Sequence, residues 1–176
     1  DRKSRRIAQL PEEDKERIER FCDSVDGDNY EKDSRLFSHS WFIDGAIKMS
    51  ESQTMGGGKS YAYYYRVESS LPVMKAGHYE EVPVLFCHPE LTVGKPHDET
   101  FSKTMRKMWV QFAKTGNPSL RAEDSPDGKA KEWPLYDIED KNVMVLDEFD
   151  IHPAKESELN IVDWERTYFL TKYYML

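Results

Sequence analysis

The sequence lacks any long hydrophobic run and any excess of positive charge, and each absence excludes a class of partner. No stretch approaches the roughly 18 to 20 apolar residues that a membrane-spanning helix needs, and no apolar signal segment opens the chain. The net charge of −8 argues against a nucleic-acid surface, which needs clustered lysine and arginine. We therefore expect neither a membrane nor a nucleic acid as a partner.

Cysteine is also scarce, since Cys22 and Cys87 are the only two in 176 residues. Two thiols cannot form the multiple-disulfide framework of a small secreted domain, so we expect both to be small buried side chains. This pattern predicts a reducing, cytoplasmic compartment. Cys87 and His88, with Glu90, are not accompanied by a second pair of ligands at zinc spacing, so we expect no metal site.

Hydrophobic residues make up 38% of the chain and aromatic residues 12%, which is enough for a packed core. Apolar side chains spaced three and four residues apart predict four helices, over 11–22, 40–53, 98–116 and 154–173. The polar segment 23–34 is predicted to be a loop. The second helix is expected to have an apolar face of Phe42, Ala46 and Met49, flanked by Ile43 and Ile47.

The third predicted helix has the clearest apolar stripe. Its inner face collects five large side chains, at Phe101, Met105, Met108, Trp109 and Phe112. Asp98 suits the N-cap, and Gly116 with Pro118 is typical of a helix end. A stripe of this kind is characteristic of a helix that covers a core rather than of a cofactor site.

Two segments are predicted to be strands, "SYAYYYRV" over 60–67 and "NVMVL" over 142–146. "GGGKS" before the first strand resembles part of a phosphate-binding loop. That motif requires glycine at position 53, where this chain has Gln53, and it lies between a strand and a helix, whereas the order here is helix, glycines, strand. The glycines therefore predict a helix stop and a turn.

Two strands separated by some 75 residues cannot form a free-standing sheet of ordinary width. The apolar helix faces need a surface to cover, and this chain alone does not supply one. The sequence therefore predicts the end of a larger α/β protein. Residues 119–132 are polar and contain the turn sequence "SPDG", which indicates a surface insertion.

Five collinear segments resemble type-B carboxylesterases, the family of para-nitrobenzyl esterases and cholinesterases. They are "GGGKSYAYYYRV", "KAGHYEEVPVLF", the helix ending in "WVQFAKTGNP", "EWPLYD" and "NVMVLD", and together they lie within residues 36–170. The resemblance implies an α/β-hydrolase fold, of which residues 1–176 would be the C-terminal subdomain. It also implies a serine enzyme that hydrolyses carboxylic esters without a metal or organic cofactor.

In this fold the triad runs serine, acid, histidine along the chain, so a C-terminal part carries the histidine alone. The resemblance assigns that role to His78 and gives Glu81, three residues later, at most a loop-ordering role. No Gly-x-Ser-x-Gly elbow occurs in the 176 residues. The nucleophile, the acid and the oxyanion hole are thus expected from the N-terminal part of the same protein, and this chain alone is expected to be inactive.

One residue departs from the family pattern, and the family itself leaves a second function open. The family usually has a small residue after the histidine, and here Tyr79 follows it. The family also includes members that have lost catalysis and serve in adhesion. The alternative is therefore a non-catalytic interaction domain, whose exposed apolar faces would be covered by self-association or by a partner.

Overall fold

A computed structural model describes residues 8–24, 26–69, 75–86 and 98–159. The chain divides into two compact units, Asp1–Ser52 with Asn160–Leu176, and Gln53–Leu159. The described residues of the first unit are mainly helical, and the second unit holds a sheet. Within the described ranges, no helix is both long and apolar enough to cross a bilayer.

Helix α1, Glu12–Asp23, confirms the first predicted helix. Its first turn carries three acidic residues, which the positive end of the helix dipole favours. Ile18 and Phe21 are buried on one face, as the spacing predicts, whereas Cys22 is only half-buried. The expected burial of this thiol is therefore wrong, and Cys87 lies outside the described residues.

The predicted loop over 23–34 is wrong, because helix α2 spans Asn29–Ser38. Asp28 and Glu31 form a capping box: the Asp28 carboxylate accepts the Glu31 amide at 3.0 Å, and the Glu31 carboxylate accepts the Asp28 amide at 3.2 Å. Together they satisfy two amides that would otherwise lack partners at the helix start. The Asp-x-x-Glu spacing was the available signal for this helix.

A π-helical turn, His39–Ile43, joins α2 to helix α3, Asp44–Met55. The second predicted helix is confirmed, but the centre of its predicted apolar face is wrong. Ile47 is buried with Asp44, whereas Ala46 and Met49 are exposed. The wider π turn rotates the residues that follow it relative to an α-helical count, and the apolar spacing alone did not reveal that turn.

The second unit contains a three-stranded sheet in the order β1, β2, β3. β1 (Ala62–Tyr65) and β2 (Asn142–Leu146) run parallel, with Ala62 opposite Val143 and Tyr65 opposite Leu146. Both lie within the predicted strands. Gly57, at φ 77°, lies in the turn between α3 and β1, so the order is helix, glycines, strand, as predicted.

Strand β3, Ile151–Lys155, pairs antiparallel with β2 and was not predicted. Its residues 154 and 155, and the 3₁₀ turn Glu156–Glu158, replace the predicted start of the last helix, which is therefore wrong there. Pro153 argued against a strand, because proline lacks the amide that a central strand needs. β3 lies at an edge of the described sheet, where a proline is tolerated. The rest of the predicted helix lies outside the described residues.

Helix α4, Glu81–Phe86, is short, and helix α5, Glu99–Thr115, covers the sheet. Asp98 caps α5 by accepting the Thr100 amide at 3.0 Å, and Gly116 ends it at φ 73°, both as predicted. The core joins the inner face of α5 to the sheet through Phe101, Met105, Met108, Met144 and Leu146, each 2% exposed or less. Phe112 is 49% exposed, so the predicted stripe is buried only along its first part.

Residues 119–132 form a closed loop rather than a loose segment. Leu120 and Lys131 exchange backbone hydrogen bonds of 2.9 and 2.8 Å, and both side chains are buried. The Lys131 ammonium lies 2.7 Å from the Asp127 carboxylate. Burial raises the pKa of Asp127, but donors from Lys131, Ser125 and the Lys129 amide outweigh it and bring the pKa to about 2. That the segment is an insertion stays a prediction.

Candidate functional site

The segment that carries the predicted site residues begins at the edge of the sheet where the parallel strands β1 and β2 both end. The Arg66 amide, directly after β1, donates to the Leu146 carbonyl at 3.0 Å. Further along the chain, the Ser69 amide donates to the Lys75 carbonyl at 2.7 Å. Ligand and catalytic side chains in open α/β sheets lie at this carboxyl edge, so the segment that follows β1 is well placed for chemistry.

His78 lies in the tight turn that joins this segment to α4. The Glu80 amide donates to the Gly77 carbonyl at 3.4 Å, and the Val82 amide to the Tyr79 carbonyl at 3.1 Å. The imidazole of His78 is exposed, as a residue that meets a substrate must be. The turn thus presents His78 outward, immediately before a helix whose next residues are anchored in the core.

Tyr79 has a left-handed backbone conformation, with φ 79°. A side chain with a Cβ disfavours this region by roughly 1–2 kcal/mol, whereas glycine adopts it freely. Its ring lies beside the imidazole, with centroids 6.5 Å apart, and is 57% exposed. The backbone at this position therefore favours glycine, and the tyrosine found here adopts it under strain.

Glu81, the other predicted site residue, is the first residue of α4 and is held by a tyrosine of β1. The Tyr63 hydroxyl donates to Glu81 Oε1 at 3.3 Å. Burial, together with the negative charge and hydrogen bond of Glu81, raises the pKa of Tyr63 to about 12, so the hydroxyl stays protonated near neutral pH. Sequence reasoning missed Tyr63, because 18 residues separate it from its acceptor and no local pattern links the two.

Negative charge gathers at the carboxyl end of β1. Burial raises the pKa of Tyr65, and the charges of Glu81, Glu80 and Glu148 raise it further. The Tyr65 hydroxyl is buried without a hydrogen-bond partner among the described residues. The described residues also include no group of histidine, cysteine and acidic side chains arranged to hold a metal ion. The Cys87, His88 and Glu90 segment lies outside them.

A groove of about 200 Å³ lies where side chains of β1 and α5 meet. Aromatic and apolar side chains line it, at Tyr61, Tyr63, Met108, Trp109, Phe112, Pro118 and Trp133. The Trp133 indole donates to the Ala62 carbonyl at 3.0 Å, which fixes one wall. In the described sheet β1 pairs only with β2, so β1 is an edge strand among the described strands.

Comparison with known proteins decides which family this arrangement belongs to. A sequence model of the Carboxylesterase family matches residues 14–161, which is most of the chain. The chain belongs to the carboxylesterase family. It is 30% identical over 129 residues to Carboxylesterase 1C of Rattus norvegicus, a match that covers 68% of this chain and 22% of the rat protein.

Two bacterial esterases support the same assignment. Para-nitrobenzyl esterase of Bacillus subtilis (strain 168) is 34% identical over 94 residues, which cover 49% of this chain and 18% of that protein. The crystal structure of a Geobacillus stearothermophilus carboxylesterase superposes with a TM-score of 0.64 and 25% identity, covering 88% of this chain and 32% of that one. The predicted α/β-hydrolase fold is confirmed, and the chain spans about a fifth of the length of the curated relatives it matches.

Proposed function

We propose that this chain contributes the catalytic histidine, His78, of a serine carboxylesterase that hydrolyses carboxylic esters through an acyl-enzyme. The observation that carries the proposal is an exposed histidine in a turn of the segment that leaves β1 at the carboxyl edge of the sheet, in a member of the carboxylesterase family. A triad histidine must lie at that edge because the serine elbow of the α/β-hydrolase fold opens there.

His78 would move one proton in each half of the reaction. It accepts the serine proton as Oγ attacks the ester carbonyl, and it returns that proton to the departing alkoxide, which leaves as the alcohol. It then deprotonates a water that attacks the acyl carbon, and the proton passes to the serine oxygen as the carboxylic acid leaves. No metal or organic cofactor takes part in these proposed reaction steps.

The partner in this proposal is the preceding part of the same protein. It would supply the serine, the triad acid and the oxyanion hole, none of which this sequence provides as a recognisable motif. The position of β1 at an edge of the described sheet supports this docking, because an edge strand can pair with a further strand. The ester substrate would then bind between the two parts, at the carboxyl edge.

The substrate class is proposed only as carboxylic esters. The relatives are named as carboxylesterases and as a para-nitrobenzyl esterase, and these names share the ester bond while leaving the acyl and alcohol groups open. We also propose a cytoplasmic location, which rests on the scarcity of cysteine alone.

The test is the hydrolysis of para-nitrophenyl esters by the full-length protein and by its His78→Ala variant. Loss of a triad member reduces kcat by about 10⁴- to 10⁶-fold, so the variant should fall to near the background rate. His152→Ala is the matched control, because His152 is a half-exposed histidine on β3 and should leave the rate unchanged. The 176-residue chain alone should show no turnover.

Two outcomes would contradict the proposal. Full-length His78→Ala protein that keeps its rate would show that another group acts as the base. Turnover by the isolated chain that disappears on His78→Ala would show that the serine and the oxyanion hole are not needed from outside.

A second function is favoured by exposed aromatic side chains on the first unit. Phe37 and Trp41 stack with ring centroids 5.1 Å apart, yet they are 50% and 54% exposed. A non-catalytic interaction domain would use such a surface to bind a second copy or another protein. Light scattering and the ester assay together distinguish the two functions. A full-length protein that is dimeric and inactive on esters supports the interaction domain, whereas an active monomer rules it out.

A further inference from the structure

The short helix α4 is held to the rest of the second unit at both ends. At its start, the Tyr63 hydroxyl on β1 donates to Glu81 at 3.3 Å. Near its end, the Arg106 guanidinium on α5 donates to the Val84 carbonyl at 3.3 Å, and the Val84 side chain is 3% exposed. A helix of six residues is not stable by itself, so these contacts determine its position.

The position of α4 determines that of His78, because only Tyr79 and Glu80 lie between the histidine and Glu81. The connecting turn is hydrogen-bonded, from the Val82 amide to the Tyr79 carbonyl at 3.1 Å, so a displacement of Glu81 is passed on to the imidazole. A general base that moves by about 1 Å from its productive place can cost about a hundredfold in rate.

We propose that Tyr63 is a positioning residue for His78, acting through its hydrogen bond to Glu81. The inference rests on the proposed function and adds a residue to it that no sequence motif marks. The Tyr63 hydroxyl fixes the first residue of α4, and α4 fixes the preceding turn, which carries the His78 imidazole.

The surroundings of Tyr63 fit this role. Its ring makes edge contacts with Trp109 and Trp133, at centroid distances of 5.3 and 6.2 Å, and these contacts restrict the directions in which the hydroxyl can point. Tyr64, the next residue, has its side chain on the opposite face of β1, because successive strand residues alternate. It offers a matched control that removes the same hydroxyl from the same strand.

The experiment measures kcat and KM of the full-length protein on a para-nitrophenyl ester. Tyr63→Phe and Glu81→Ala should each lower kcat by about five- to tenfold with KM unchanged, since one hydrogen bond is lost and no substrate contact changes. Glu81→Gln should keep most of the rate, because its amide oxygen still accepts the bond. The double variant Tyr63→Phe/Glu81→Ala should be no slower than either single variant, and Tyr64→Phe should match the unsubstituted protein.

Hydrogen exchange of the amides at 79–82 in the same proteins provides a readout besides activity. Exchange should be faster in Tyr63→Phe and unchanged in Tyr64→Phe, which separates a loosened turn from general unfolding. Unchanged exchange and kcat in Tyr63→Phe, or a loss confined to KM, would overturn the positioning role. If His78→Ala abolishes activity at the same time, the proposed function stands without it; if His78→Ala stays active, both fail.

Discussion

Replacing His39 with leucine should remove an acid-induced loss of stability from the first unit. His39 lies in the π turn and is 1% exposed, and neither ring nitrogen has a hydrogen-bond partner among the described residues. Its imidazole and the Phe21 ring pack edge to face at a centroid distance of 5.5 Å. Sequence reasoning assigned this histidine no role, because nothing local marked it as buried.

The pKa of His39 falls from 6.5 to about 4, because burial penalises the charged imidazole and the positive charge of Arg35 adds to that penalty. Between these values the unfolded chain binds a proton that the folded chain does not. The contribution of neutral His39 to the free energy of unfolding is therefore fully present above about pH 6.5, and it is lost as the pH falls to about 4. The total loss is roughly 3 kcal/mol, at about 1.4 kcal/mol for each tenfold change in proton affinity.

The assay is urea unfolding of the chain at several pH values between 7.5 and 4, followed by the amide signals of Leu36 and Ile47. These two residues report on the first unit by itself. The leucine variant should lose the pH dependence that is specific to His39, while the titration of carboxylates is common to both proteins and cancels in the difference. At pH 7.5 it should also be more stable by about 1 kcal/mol, because two unpaired polar atoms are removed.

Equal pH dependence in the two proteins between pH 6.5 and 4 would refute the reasoning. It would mean that His39 is protonated in the folded unit without cost. A change in the second unit, His152→Phe, is the control and should leave the Leu36 and Ile47 curves as they are.

Two further predictions concern the second unit. Met108→Ala should lower the free energy of unfolding by about 2–5 kcal/mol in a denaturant titration, because Met108 is fully buried. Val110→Ala, at a half-exposed position of the same helix, should change it by less than about 0.5 kcal/mol. Equal effects of the two substitutions would contradict the core assignment. Tyr79→Gly should raise the free energy of unfolding by about 1 kcal/mol, because glycine adopts a positive φ without strain. Tyr79→Ala keeps a Cβ and should leave the free energy of unfolding unchanged. An equal gain in both variants would mean that the tyrosine ring, and not the backbone, is the source of the strain.

The sequence was sufficient wherever the determining interactions are local. Helix α5 begins at the carboxylate of Asp98 and ends at a glycine in the left-handed conformation, and both signals lie within a few residues of the helix. β1 and β2 follow from their β-branched and aromatic composition, since such side chains suit a half-buried pleated surface. The resemblance of the chain to one family, and with it the proposed role of His78, was likewise present in the order of its motifs.

Tertiary structure alone decided the features that depend on distant residues. β3 exists because β2 offers it an open edge, and at that edge Pro153 is tolerated. The burial of Asp44 instead of Met49 depends on the π turn that precedes α3, and the burial of His39 depends on helix packing. The hydrogen bond from Tyr63 to Glu81 spans 18 residues, so no local pattern could reveal it. Periodicity and capping report on the nearest turns of chain, whereas these features depend on what packs against them.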